Sequence, residues 1–323
     1  MTHILLTGAG FTHNWGAWLA SEAFEYLLGC PDVDEHLRRE LWIDQNKGQG
    51  FESTLARLRQ ESAARPDRLG LVGALTTALV GMFNEMDRGL KARNFEFQSD
   101  VRYQLAPFLA RFDAIFTLNQ DLFLERKYRH GMPLLNPRRW SGFTSPGLAP
   151  LPAPSDYDPD HEITARRIPG CESAFHVENN IQPYFKLHGS SNWYDGAGGR
   201  MLIMGGNKTA AIRSNPLLRW YAEQFDRYLQ CGDARLMIIG YSFSDHHINK
   251  SIIESTKHGL RVFLIDPRGS DILDKRRGVF KPATDELMDA VQPVLIGASR
   301  RPLTAIFDGD IVEHQRVSTF FHW

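Results

Sequence analysis

Hydrophobic residues fall along this chain in two rhythms. Short unbroken apolar runs recur at Ile4-Leu5-Leu6, Ala114-Ile115-Phe116-Thr117-Leu118, Tyr184-Phe185-Lys186-Leu187, Leu236-Met237-Ile238-Ile239 and Val262-Phe263-Leu264-Ile265. Runs of this kind, with almost no polar alternation, suit strands buried on both faces, as a parallel sheet flanked by helices requires. Elsewhere the apolar residues return at three- and four-residue steps, as in Leu55, Leu58, Leu71, Leu75, Leu79 and Phe83. That spacing predicts helices through most of 33–111, broken at Pro66. Further helices are expected over 18–28, stopped by Gly29 and Pro31, and over 121–129, 215–231 and 245–257. Strands alternating with helices predict an α/β fold, a Rossmann-like doubly wound parallel sheet with an inserted helical module at about 33–111. One domain spans 1–323, with the sheet ending near Asp266. Prolines from Pro133 to Pro183 punctuate 131–183, which reads as an irregular surface excursion.

Composition narrows the function classes. Hydrophobic residues make up 42% and charged residues 23% of 323, an ordinary globular balance that excludes disorder as the main state. The net charge of −1 argues against a broadly basic nucleic-acid binder. Cys30, Cys171 and Cys231 lie far apart and form no CxxC pair, which excludes a disulfide framework and a four-cysteine zinc ribbon. Free thiols fit a reducing cytoplasm. The first residues lack the pattern of a signal peptide, and no uninterrupted apolar stretch of about 18 residues predicts a membrane span. A cytoplasmic location is expected.

Four of the apolar runs end in residues suited to chemistry. The first breaks into Gly8-Ala9-Gly10-Phe11-Thr12. Glycines let a backbone approach a ligand, and amides at a helix start suit a phosphate, although a plain strand–helix turn reads the same way. His13 stands where a full GxGxxG fingerprint has its third glycine. The second run ends in Thr117-Leu118-Asn119-Gln120-Asp121, at the carboxyl end of a strand, where open α/β sheets bind ligands. Asn119 offers both donor and acceptor to a ribose or carboxamide, while Asp121 also suits a helix N-cap. The third, Lys186-Leu187-His188-Gly189-Ser190, places an imidazole base at the same edge. The fourth, Gly240-Tyr241-Ser242-Phe243-Ser244-Asp245, carries capping-box spacing between Ser242 and Asp245. His246 and His247 follow, but neighbours on a helix point about 100° apart, so they are not expected to share a metal.

Taken in this order, the four motifs resemble the sirtuin family, specifically its bacterial sirtuin-like effector branch. The family pattern is Gly-Ala-Gly-x-Ser/Thr, then Thr-x-Asn-x-Asp, then His-Gly, then Gly-x-Ser before a helix. The resemblance covers residues 3 to about 266. It implies an NAD-binding domain in which Gly8, Ala9, Gly10, Phe11 and Thr12 form the pyrophosphate turn, with Ala9 and Gly10 in contact. It further implies Asn119 and Asp121 at the nicotinamide–ribose end, His188 as base, Gly240 and Ser242 lining the pocket, and Asp266 at the adenosine ribose. Protein deacylases of the family carry Gly-Ile-Pro-Asp-Phe-Arg where this chain reads His13-Asn14-Trp15-Gly16-Ala17-Trp18, and usually a zinc module with two cysteine pairs. The helical insert before Asn119 looks like the sirtuin-like domains of bacterial antiphage systems, which hydrolyse and deplete NAD.

The resemblance thus implies an NAD+ glycohydrolase, an NAD+ nucleosidase that releases nicotinamide and ADP-ribose. Asn119 and His188 would be catalytic, with NAD as substrate and no metal. The alternatives are an NAD-dependent protein deacylase and a non-catalytic NAD or ADP-ribose sensor. The incomplete dinucleotide fingerprint disfavours a dehydrogenase. Unchecked NAD loss harms the host, so control by assembly is expected: a homo-oligomer and, by resemblance to two-gene defence systems, a hexameric HerA-type ATPase as partner. No membrane or direct nucleic-acid contact is expected. The aromatic tail Phe320-Phe321-His322-Trp323 is expected to pack on its own domain, with a neighbouring subunit as the alternative.

Overall fold

Ile4, Leu5 and Leu6 give the first strand, β1 (Thr2–Thr7), two apolar faces, and both are used. In the computed structural model Leu5 belongs to the core on one side of a sheet, and Ile4 and Leu6 to the core on the other. The structure describes residues 1–128, 139–149, 163–206, 208–273 and 285–322.

The strands that follow are β2 (Ala114–Thr117), β3 (Gly142–Thr144), β4 (Ile181–Lys186), a hairpin of β5 (Gly189–Tyr194) and β6 (Arg200–Leu202), β7 (Ala234–Ile239), β8 (Arg261–Ile265) and β9 (Leu295–Ser299). All but the hairpin join one parallel sheet in the order β3-β4-β2-β1-β7-β8-β9. The two-sided pattern of β1 repeats across it. Ile115, Met237, Ile239, Phe263 and Ile265 face one core, while Phe116, Leu236, Ile238, Val262 and Leu264 face the other. This is a Rossmann-like doubly wound sheet. The chain runs outward from β1 through β2 and β4, then re-enters on the far side of β1 at β7. Open sheets take their ligands outside the carboxyl ends of the strands at such a reversal.

The helices are α1 (Ala9–His13), α2 (Ala20–Gly29), α3 (Glu35–Gln45), α4 (Gly50–Ser62), α5 (Leu69–Lys91), α6 (Leu105–Leu109), α7 (Phe123–Lys127), α8 (Lys208–Ser214), α9 (Pro216–Leu229), α10 (His246–Thr256), α11 (Asp285–Val291), α12 (Leu303–Ile306) and α13 (Ile311–Ser318). The expected helical module is α3 to α6. Asp34 opens α3 by accepting from the Leu37 amide at 2.8 Å. Glu40 and Asp44 on α3 are buried, and each is met by Arg57 of α4, at 2.7 and 2.9 Å. Buried carboxylates left unpaired would be costly, so these bridges fix how α3 and α4 lie together. Among the described residues, Pro66–Lys91 is long and apolar enough to cross a membrane by length and composition. Its apolar residues are interrupted by polar ones, so they form no unbroken run of that length. Its stripe of Leu71, Leu75, Leu79, Met82 and Met86 is buried, with α2, α4 and α7 packed against the helix.

Three expectations need correction. The sheet does not end near Asp266, because β9 adds an edge strand; it is only half-buried, and its short apolar run Val294-Leu295-Ile296 is cut off at Gly297. The helix expected over 121–129 is the short α7. The stretch 131–183 is not wholly irregular, since β3 and the start of β4 lie in it; 129–138 and 150–162 fall outside the described residues. The tail packs on its own domain: Phe320 is fully buried against His3, Phe112 and Phe263, and the Arg111 guanidinium lies 3.9 Å over the Phe321 ring. Trp323 is outside the described residues.

Candidate active site

Strand register brings the candidate motifs to one edge. Thr7 lies opposite both Thr117 and Ile239, Thr117 opposite Lys186, and Ile239 opposite Ile265. Gly8, Asn119, His188, Gly240 and Asp266 therefore all start within two residues of the same carboxyl edge.

Two of the turns interlock through bare backbone. The Gly8 amide donates to Ile239 O and the Gly10 amide to Gly240 O, both at 3.0 Å. A Cβ on Gly8 would sit 2.5 Å from Gly240 O, and one on Gly240, at φ +63°, 2.4 Å from Gly10 C and Phe11 N. These glycines are required by each other. The Gly10 amide is taken up by Gly240, so the pyrophosphate contact that the resemblance assigns to Gly10 would have to use another of its atoms. Ala9 is exposed at the turn. Phe11 is buried against Trp15, with ring centroids 5.3 Å apart, so its side chain is core and does not line a pocket.

Thr12 joins the first motif to the second. Its hydroxyl donates to Asp121 Oδ2 at 3.0 Å and accepts from Asn119 Nδ2 at 2.7 Å. Asp121 uses its other oxygen for the Phe123 amide at 3.0 Å, which opens α7. Beneath them the Thr7 hydroxyl donates to that of Thr117, whose oxygen also accepts from the Asn119 amide. Gln120 ties the second motif to the third by donating to His188 O at 3.1 Å and Ile203 O at 2.7 Å. Gly189 follows at φ +74°, where β5 folds onto Met201 of β6 and a Cβ would clash with the Met201 carbonyl.

His188 is 3% exposed and does not stand alone. Its Nε2 lies 3.1 Å from Nε2 of His247. Asp245, which precedes α10, accepts from Lys208 Nζ at 2.8 Å, and Lys208 also meets Glu52 of α4 at 2.8 Å. Burial holds the His188 imidazolium down, to a pKa of about 3, against the pull of Asp245. Burial likewise lowers His247. His188, Asp245 and His247 each offer one ligand atom, all within 4.8 Å of one another, close enough for a transition ion to draw on them. One Asp245 oxygen already holds an ammonium, and two ring nitrogens at 3.1 Å are joined by a hydrogen bond without an ion.

One further expectation fails, and two more residues can be placed. The capping box does not form: Ser242 is exposed and pairs with Ser244 Oγ at 3.0 Å, while Asp245 caps α10 without a side-chain bond. Asp266 is half-buried at the end of β8, accepts from the Arg268 amide at 2.9 Å, and is raised in pKa by burial. His246 is exposed and takes no part in the pair formed by its neighbour. Lys208 and Glu52 are the residues missed in the sequence, and Gln120 and His247, which stand in or beside the motifs, take partners that the sequence does not indicate.

A second buried polar cluster supports the Asn119–Asp121 loop from behind. Lys186 Nζ, fully buried, donates to Asp121 O and to Glu125 Oε1 at 2.7 Å. Asp87 of α5 accepts from the Leu122 amide at 3.0 Å. Burial, and then the charge of Asp121, push Asp87 up to about 7. The unfolded chain releases that proton near pH 4, so between about pH 4 and 7 the native state holds a proton that the unfolded state lacks. Stability is therefore expected to fall as pH rises through this window, by up to about 4 kcal/mol. Asp87→Asn keeps the acceptor and should flatten that slope. Urea midpoints of both proteins at pH 5 and 8.5 test it; equal slopes would show that Asp87 ionises as an ordinary carboxylate.

No family model matches the chain, and no curated protein matches it. Among solved structures the chain is similar to one described as the structural basis for the mechanism and regulation of Sir2 enzymes. That likeness has 12% identity and a TM-score of 0.42, and covers 98% of this chain and 93% of the other. It is also similar to a Sir2 homologue in complex with NAD, at 12% identity and a TM-score of 0.39, over 98% of this chain and 90% of the other.

Proposed function

We propose that the chain is an NAD+ glycohydrolase. The observation that carries this reading is the Asn119–Thr12–Asp121 hydrogen-bonded chain, tied through Gln120 to the backbone of the buried His188, at the reversal point of a Rossmann-like sheet. In the reaction the bond between the ribose carbon and nicotinamide breaks, and its electron pair neutralises the pyridinium. The ribose carbon gains oxocarbenium character. A water held by Asn119 bonds to that carbon and gives its proton to His188. Thr12 fixes the Asn119 amide, so the water site is ordered before substrate arrives, and orientation of this kind lowers the barrier. The biological role that fits is NAD depletion in antiphage defence. The active assembly would be a homo-oligomer, held in check by a partner such as a HerA-type ATPase.

The test is nicotinamide and ADP-ribose release from NAD by the purified protein. Asn119→Ala is expected to lower kcat by about tenfold to a hundredfold while NAD still binds. Nicotinamide release that requires an acetylated peptide would make the chain a deacylase. NAD binding without release, alone and with the partner, would make it a sensor.

A further inference from the structure

A base as deeply buried as His188 must hand its proton on before it can act again. Its Nε2 faces Nε2 of His247 at 3.1 Å, with the ring planes inclined at 46°. Two imidazole nitrogens at that distance share one proton, one ring donating N–H and the other accepting. His247 lies in the first turn of α10 and is half-buried, so it reaches toward solvent where His188 does not. The charged and titratable groups facing the pair are Asp245, Lys208 and, beside His247, the exposed His246. Asp245 favours a positive charge on either ring and Lys208 opposes it, while Glu52 holds Lys208 from the other side. The better-solvated ring is the one on which a transient imidazolium costs less.

Resting on the glycohydrolase reading above, we propose that His247 is a positioning residue for His188 and the outlet through which its proton reaches solvent. As the oxygen of the attacking water bonds to the ribose carbon, its O–H bond breaks and the proton passes to His188. An N–H proton then moves from Nε2 of His188 to Nε2 of His247. The proton from water enters His188 at Nδ1, since Nε2 faces His247, and His247 loses a proton to solvent. After product leaves, the pair resets as His247 takes a proton from solvent and returns its Nε2 proton to His188, while the Nδ1 proton of His188 passes to water entering the emptied site. Net, one proton travels from the water to the bulk and no electrons are transferred.

The test measures nicotinamide release by wild type, His247→Ala and His247→Gln while imidazole is titrated at fixed pH and ionic strength. His247→Ala is expected to lose about tenfold in kcat with KM for NAD unchanged, and to recover saturably with imidazole, which leaves wild type unaffected. Glutamine can hold His188 but cannot relay a proton, so His247→Gln should lose kcat as well. A wild-type kcat in either variant, or a loss in His247→Ala that imidazole does not restore, overturns the relay. So does wild-type activity that a chelator removes and Zn²⁺ restores, because the three residues would then be metal ligands. Nitrogen-15 spectra of the histidine rings give a readout independent of turnover. Wild type should show one Nε2–H coupled to a second ring nitrogen, absent in His247→Ala, and its absence from wild type overturns the pairing. If that signal is present but no protein releases nicotinamide, the glycohydrolase reading fails and takes the relay with it, leaving a structural pair.

Discussion

His188→Ala is expected to lower nicotinamide release by about 10²–10³-fold, with NAD binding retained. General-base assistance spans roughly 10²–10⁴-fold. The low basicity of His188, held near a pKa of about 3 by burial, places it toward the lower part of that range. A weak base suffices where the leaving group is already cationic and the sugar ionises early. The same depression shapes the pH profile. A base must be neutral to act, and His188 stays neutral far below the ordinary histidine range, so kcat/KM should show no acid limb near pH 6.5. Stability responds separately. Between pH 6.5 and about 3 the unfolded chain binds a proton that the native imidazole refuses, so stability should decline as pH falls through that window. Rates measured from pH 5 to 8 decide the first point. A limb near 6.5 that is missing from the residual activity of His188→Ala would mean that the imidazole titrates as if solvated.

Much of this architecture was legible because each central strand needs two apolar faces. Leu236 to Ile239 and Val262 to Ile265 cannot be amphipathic, and a run this short, with no polar position and ended by Gly240 or Asp266, suits a strand covered on both sides. β9 shows only a short run, Val294-Leu295-Ile296, ended by Gly297. An edge strand needs less apolar cover, and Gly297 is there because the Phe263 ring occupies the space of a Cβ, a tertiary fact with no local signature. The β5–β6 hairpin does carry a local signal, the Asp195-Gly196-Ala197-Gly198-Gly199 turn, whereas its close contact of Gly189 against Met201 has none.

The site divides in the same way. Asn119, Asp121 and His188 could be placed because each follows a recognisable strand by one to four residues, and parallel register sends those positions to one edge. Which partner each finds is decided by crossing loops. His247 stands next to His246 in sequence, and that adjacency drew attention to the wrong pair. Its partner, His188, follows β4, which β2 and β1 separate from β7. Lys208 and Glu52 lie far apart in the chain and look like ordinary surface charges until α8 brings Lys208 to Asp245 and α4 brings Glu52 to Lys208. Burial, which sets the chemistry of His188 and Asp87, is likewise a property of the whole fold.

Gly240→Ala is expected to cost roughly 2–6 kcal/mol and to abolish activity with it. Two effects combine. An alanine at φ +63° is strained by the left-handed conformation, and its Cβ would lie 2.4 Å from Gly10 C and Phe11 N. Those atoms are backbone, so no rotamer change relieves the clash. The turn after β1 must move off the turn after β7, which breaks the Gly10–Gly240 hydrogen bond and shifts Thr12 away from Asn119 and Asp121. Gly232→Ala separates the two effects, since φ there is +91° and no atom lies within 4 Å of the point a Cβ would occupy, leaving strain alone. Urea unfolding of both variants, together with NAD titration, measures the difference. If Gly240→Ala is no less stable than Gly232→Ala and still binds NAD, the two turns are not locked together by their glycines, and the first motif owes its glycines to the ligand instead.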